Sequence, residues 1–169
     1  MEYEFIFVDS SLVICRSFGV ASVQDFLDSA EALTSDPRWR PGVDTITDHT
    51  HLDASRLTAS EVEQIARGEG EYSDKIGQGR DAVVIGQYSP AAYGLARMFG
   101  AYIEPLVDAT FRVFWTFDEA LVWLRGPDYS LPAELGEQLS RRAPSAKTES
   151  KSSAAKRPAG KGTKRSSIA

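Results

Sequence analysis

The sequence predicts an α/β protein: a five-stranded mixed sheet covered by helices, in the order β-β-α-β-α-β-α-β-α. Three observations predict it. Arg80 to Gly100, RDAVVIGQYSPAAYGLARMFG, reads as an apolar strand, a tight cap and an amphipathic helix. Three capping boxes recur, each at the start of a helix. The chain also opens on two adjoining apolar β-type segments, which make a hairpin and hence a mixed sheet.

Tyr3 to Val8 is aromatic and β-branched, Asp9-Ser10-Ser11 is turn-like, and Leu12 to Arg16 resumes the apolar character, completing the hairpin. Ser22-Val23-Gln24-Asp25 forms the first capping box. Val23, Phe26, Leu27, Ala30 and Leu33 then share one helical face until Asp36-Pro37 stops the pattern. After PRWRPG comes a short strand, Val43 to Asp48. A polar loop follows it, up to the second capping box, Thr58-Ala59-Ser60-Glu61, where Leu57 and Val62 suit a hydrophobic staple. This second helix carries Val62, Ile65 and Ala66 and frays in GEGEYSDKIGQG.

Ala82 to Ile85 is unbroken apolar sequence, as expected of a central strand covered on both faces. Ser89 caps the next helix and Pro90 fits its first position. Ala92, Leu95, Ala96, Phe99 and Ile103 make its apolar stripe, and Pro105 ends it. Phe111, Val113 and Trp115 alternate as a last strand. Thr116-Phe117-Asp118-Glu119 is the third capping box, and Gly126-Pro127 closes the helix it starts. The domain organisation expected is one α/β domain over 1–127, a short extension over 128–140 and a disordered basic tail over 141–169.

Charge is divided sharply between body and tail. Residues 1–140 hold 23 of the 24 acidic and 10 of the 19 basic side chains, a net −13, while the last 29 residues carry nine basic side chains and one acidic, a net +8. The tail is too poor in apolar residues to offset backbone ordering at roughly 1–2 kcal/mol per residue. Its charge suits weak, nonspecific, salt-sensitive contact with a polyanion, and without an interleaved aromatic it offers no base stacking.

The chain is 42% hydrophobic, enough for a real core. No apolar run approaches the roughly 20 residues of a membrane span, and the acidic start MEYEFIFVDSS is unlike a secretory leader. A soluble cytoplasmic protein is expected. The single Cys15, set in an apolar run, is expected as a buried, inert thiol.

The element order, together with GLARMFGAY and RVFWTFDEALVWL, resembles the uncharacterised bacterial SpoIIAA-like proteins of the STAS and SEC14-like superfamily, over about residues 1–125. The resemblance implies a non-enzymatic regulatory or protein-interaction module. In anti-sigma-factor antagonists of that superfamily, a Ser or Thr at the start of the helix after the third strand is phosphorylated, in a motif similar to Asp-Ser-Ser-Gly. Here the corresponding stretch is Asp48 to Ser55, with no Gly in register, and Thr50 and Ser55 are the nearby hydroxyls.

Asp48, His49, Thr50, His51 and Asp53 gather polar groups past a strand's carboxyl end, where α/β sheets tend to bind ligands. If the strand continued, His49 and His51 would point the same way and with Asp48 or Asp53 approximate a metal site for a metal-assisted enzyme. A solvated polar loop is the plainer reading, and no metal or other cofactor is assigned. A small apolar or lipid ligand is the other alternative, held between Asp48–Ser55 and Gln87–Tyr93, with Tyr88, Ser89 and Tyr93 on its surface. Tyr88, Tyr93, Met98, Phe99 and Tyr102 read either as pocket or as core. Trp39, between Arg38 and Arg40, is the aromatic most expected to be exposed, at a protein contact surface, with folding back onto the first helix as the equal alternative. Gly77-Gln78-Gly79 precedes a strand where a dinucleotide fingerprint must follow one, and Gly160-Lys161-Gly162-Thr163 lacks the order of a phosphate loop.

Overall fold

A computed structural model describes residues 1–86 and 89–140. Tyr88 and the tail, 141–169, for which ligand and polyanion roles are considered above, lie outside the described residues. Five strands, β1 (Glu2–Phe7), β2 (Leu12–Val20), β3 (Asp44–Asp53), β4 (Arg80–Val84) and β5 (Thr110–Phe114), form one sheet in sequential order. β1 and β2 are the antiparallel hairpin, and β2 to β5 run parallel. β4 is an interior strand as expected, although the middle position belongs to β3.

The helices are α1 (Val23–Ser35), α2 (Ala59–Gly70), the single turn α3 (Ser73–Ile76), α4 (Pro90–Ile103), α5 (Phe117–Arg125) and α6 (Ala133–Ser140). All three capping boxes form: Ser22 with Asp25, Thr58 with Glu61 and Thr116 with Glu119. Ser89 accepts from the Ala92 N–H with Pro90 behind it. Crossovers of one hand that step across a sheet in one direction place their helices on one face. Accordingly α1, α2 and α4 share a face, and α5, following the last strand, takes the other.

On the α5 face, Leu12, Ile14, Ile46 and Val84 are fully buried and pack with Ala120, Leu121 and Leu124. Tyr129, Leu131, Leu135 and Leu139 join them. Residues 128–140 therefore continue the core rather than trail from it, with α6 as part of the cover. Asp44 anchors the N-terminal end of β3, receiving Arg80 at 2.7 Å and Arg125 at 2.5 Å. Arg125 also reaches the Ser11 carbonyl, so α5 is tied to the hairpin turn.

Two strands are longer than the sequence suggests. β2 continues to Val20 and β3 to Asp53, so Asp48–Asp53 is ladder and not a polar loop. The far halves pair with each other, Phe18 with His51, Gly19 with Leu52 and Val20 with Asp53. Backbone pairing outweighs a composition rich in polar side chains there. Trp39 is likewise corrected: it is 8% exposed, packed with Val13, Cys15 and Val43, and its indole N–H donates to the Lys75 carbonyl at 2.8 Å. The flanking arginines bond to groups other than its indole. Arg38 lies over Phe7 and bonds Asp36, while Arg40 donates to backbone carbonyls.

Candidate functional site

Between the sheet and α1, α2 and α4 lies a cavity of about 690 Å³. Strand alternation builds its floor: Cys15 and Ser17 from β2, Thr45, Thr47 and His49 from β3, Asp81 and Val83 from β4. The helices build its walls from Phe26, Ala30 and Leu33 of α1, Val62 and Ile65 of α2, and Ala92, Leu95, Ala96 and Phe99 of α4. Much of the stripes predicted for α1 and α4 thus lines open space, while Leu33 also packs against the Trp39 cluster and Ile103 is buried. None of the 13 residues of α1 is fully buried, for the same reason.

The mouth lies at the carboxyl ends of β3 and β4, beside the capped starts of α2 and α4, where Asp53, Ser55 and Ala91 are exposed. Ser89 lines it as well as capping α4. Gly86 narrows the passage: at φ 63° it lets the chain turn away from β4 with Thr50 packed against its α-carbon.

At the far end, near the amino ends of β3 and β4, Asp81 Oδ1 accepts the hydroxyls of Thr45 at 2.8 Å and Thr47 at 2.9 Å. Burial pushes the Asp81 carboxyl up to about 6, the two hydroxyls pulling the other way. Glu69 of α2 faces the same space, and among the described residues its carboxyl has no hydrogen-bond partner. Burial, with the charge of Asp81 adding to it, raises Glu69 to about 8. Nearer the mouth, burial drives the His49 imidazole down to about 4 against the pull of Asp48, and its buried Nδ1 has no hydrogen-bond partner among the described residues. At neutral pH the interior of the cavity, inward of Asp53 at the mouth, therefore holds about one negative charge, on Asp81, beside a protonated Glu69 and a neutral His49.

The structure scatters the sequence-predicted cluster. Between Arg16 and Phe18 of β2, the ladder takes three steps of β3, from Asp48 to His51. That extra residue is a bulge, and it reverses the alternation. His49 faces the cavity and meets Phe26 edge-on, whereas His51 is exposed and stacks on Phe18. The two imidazoles do not share a face, and among the described residues no three potential ligands converge on a metal position. Asp48 is turned to the α6 face, where it lies 3.5 Å from Arg16, itself bonded to Glu4 and to the Leu139 carbonyl. Asp53 accepts from the Ser55 N–H.

Of the aromatic stripe on α4, Phe99 alone among its described members lines the cavity. Tyr93 stacks on Trp115 with ring centroids 4.3 Å apart, in a separate open groove of about 580 Å³ beside α5 that Trp123 also lines. Tyr102 is exposed. Thr50 is half-buried and Ser55 exposed.

Asp81, Glu69, Thr45 and Thr47 were not singled out by sequence reasoning, yet a signal for each exists. Val62, Ile65, Ala66 and Glu69 continue one helical stripe, so a carboxyl stands where an apolar residue belongs. Thr45, Thr47 and His49 alternate along β3 and so share one face, beside Asp44, Ile46 and Asp48 on the other. Asp81 opens the apolar run of β4 on the same face as Val83. Compared with protein-family models, with curated proteins and with solved structures, the chain gives no match.

Proposed function

We propose that this protein is a non-enzymatic binding protein for a small, mainly apolar molecule, held in the cavity beneath α1, α2 and α4. The observation that carries the reading is the pairing of a 13-residue amphipathic helix that fully buries no side chain with about 690 Å³ of apolar-walled space beneath it. That volume lies within the roughly 300–1,000 Å³ usual for small-molecule sites. Left unfilled, such a wall forfeits the dispersion contacts of close packing, and an apolar occupant restores them. Small side chains at Ala30, Ala92 and Ala96 keep the space open.

Native mass spectrometry of the full chain tests this, together with Ala96→Phe, which places a ring inside the cavity. A one-to-one small-molecule adduct that Ala96→Phe abolishes, while thermal stability is unchanged or higher, is the expected result. Adducts that persist in Ala96→Phe, or absence of adducts from protein purified from its native host, contradict the reading.

A second reading follows the resemblance to SpoIIAA-like and STAS proteins: a regulatory interaction module switched by phosphorylation. What favours it is Ser55, an exposed hydroxyl at the cavity mouth, three residues before the Thr58 cap of α2. A phosphate there adds about −1.5 to −2 charges close to a helix N-terminus. Intact mass of protein from its native host tests it, with an added phosphate mapping to Ser55 expected and an unmodified chain under all growth conditions contradicting it.

A further inference from the structure

The deep end of the cavity is chemically specific. Glu69 presents a half-buried carboxyl that faces the cavity and accepts from no described residue. Asp81 stands close enough for its charge to act on Glu69, and its Oδ1 is taken by Thr45 and Thr47. No described cation faces these groups. Arg16, the one basic residue along the wall, turns its guanidinium to Glu4 and the α6 carbonyl on the opposite face. The other titratable groups on the cavity surface are Cys15 from β2, His49 from β3, and, at the mouth, Tyr3 from β1 and the exposed Asp53 at the end of β3, whereas α1, α4 and β5 present none. Two carboxyls drawn largely out of bulk water without a counter-charge are costly, and an occupant that brings a positive charge and several N–H donors offsets that cost.

We propose that Glu69 and Asp81, with Thr45 and Thr47 behind them, form a head-group subsite for an ammonium, so that the occupant of the cavity is an amphipathic amine. Its hydrocarbon body lies along Ala96, Phe99 and Leu33, and its nitrogen donates to the two carboxylates. The inference rests on the reading of the cavity as a ligand site and adds the ligand's class. A carboxylate ligand would require both acids to stay protonated. A bare metal ion lacks the three converging ligands it would need among the described residues. An alkylammonium, with an ordinary value near that of lysine at about 10.4, stays charged throughout the range in which the two acids ionise. Binding therefore expels the proton from Glu69, and affinity rises from pH 5.5 to 8.5 as Asp81 and then Glu69 lose their protons beforehand.

The test is calorimetric titration of the full chain at pH 7.5 with three probes of equal length, n-octylamine, 1-octanol and octanoate, each kept below its aggregation concentration. The amine is expected to bind at least about tenfold more tightly than the alcohol, as charge-assisted hydrogen bonds imply. Its affinity rises across the pH range. Glu69→Gln and Asp81→Asn, each checked for fold by circular dichroism, are each expected to narrow the amine-to-alcohol ratio by about tenfold. Equal or tighter binding of octanol or octanoate, or a pH-independent amine affinity in the unsubstituted chain, overturns the head-group subsite while leaving the cavity as an apolar ligand site. Binding of none of the three probes overturns both.

Discussion

Thr47 on β3 donates its hydroxyl to Oδ1 of Asp81 on β4 at 2.9 Å, on the cavity face of the sheet. A parallel ladder holds the two strands in register, and Thr45 makes the same bond one pleat earlier. Asp81 is thereby fixed, while Glu69 across the cavity is not. That asymmetry sets which acid is sensitive to pH and to substitution.

Glu69 is held protonated in the folded chain up to about pH 8, well above its ordinary carboxylate value. Over the interval between, the folded state binds a proton that the unfolded state lacks, so this group's contribution to stability is lost as pH rises through 8. Asp81, raised to about 6, acts in the same sense at lower pH. His49, lowered to about 4, acts in the opposite sense, its contribution being present above 6.5 and lost as pH falls. Between pH 6.5 and 8 the Glu69 effect stands clear of both. Glu69→Gln is expected to melt higher than the unsubstituted chain at pH 8.5, by about 1–3 kcal/mol in stability, with the gap closing towards pH 6. Melting curves across that range check it.

Cys15 lines the cavity floor, and burial, with Asp81 and Glu69 adding to it, pushes its thiol far above the usual range. The thiolate is the reactive form. Iodoacetamide at pH 8 is therefore expected to leave the native chain unmodified and to add one group per chain in denaturant. Intact mass after timed quenching reads both outcomes.

Trp39 spans the deep end of the fold, with its indole bonded to Lys75. Trp39→Phe keeps most of the ring and loses that bond, for an expected cost of about 1 kcal/mol. Trp39→Ala leaves a void, at about 3–5 kcal/mol. Urea unfolding separates the two, and equal, small losses would place the side chain outside the core.

A β-carbon at Gly86 would lie 2.7 Å from Thr50 Cγ2, on a backbone whose φ of 63° disfavours side chains. Gly86→Ala is expected to cost about 1–3 kcal/mol. Adding Thr50→Ser removes the obstructing methyl but not the backbone strain, so partial recovery is expected in the double variant, again by urea unfolding.

The layered architecture was legible because local signals agreed: Ser22 with Asp25, Thr58 with Glu61 and Thr116 with Glu119 each mark a helix start, and the run from Ala82 marks a strand covered on both faces. The site was legible only at its rim. Asp53, Ser55 and Ser89 do stand at the cavity mouth, as their positions past strand ends suggest. The interior was hidden for two reasons. A bulge opposite Ser17 reverses the alternation that would have put His49 and His51 together, and nothing local in DHTHLD announces it. Amphipathic stripes on α1 and α4 predict burial but not what they are buried against, so Ala96 and Phe99 read as core when they face a cavity. Trp39 read equally as exposed or as folded back onto the first helix, and the structure takes the buried alternative, with Leu33 of α1 packed against its cluster. Its neighbours Arg38 and Arg40 suggested solvent, and the Lys75 carbonyl that receives the indole lies 36 residues away.

Among the described residues no helix is long and apolar enough to cross a membrane, so the apolar faces of α1 and α4 are not membrane spans. Much of those faces lines the space between the helices and the sheet. Amide and methyl chemical-shift mapping during titration of the full chain with n-octylamine tests this most directly. The account predicts saturable shifts at Ala30, Leu95, Ala96 and Phe99 on the walls and at Thr45, Glu69 and Asp81 at the deep end. Absence of saturable shifts, or shifts confined to the outer groove at Tyr93, Trp115 and Trp123, would contradict it.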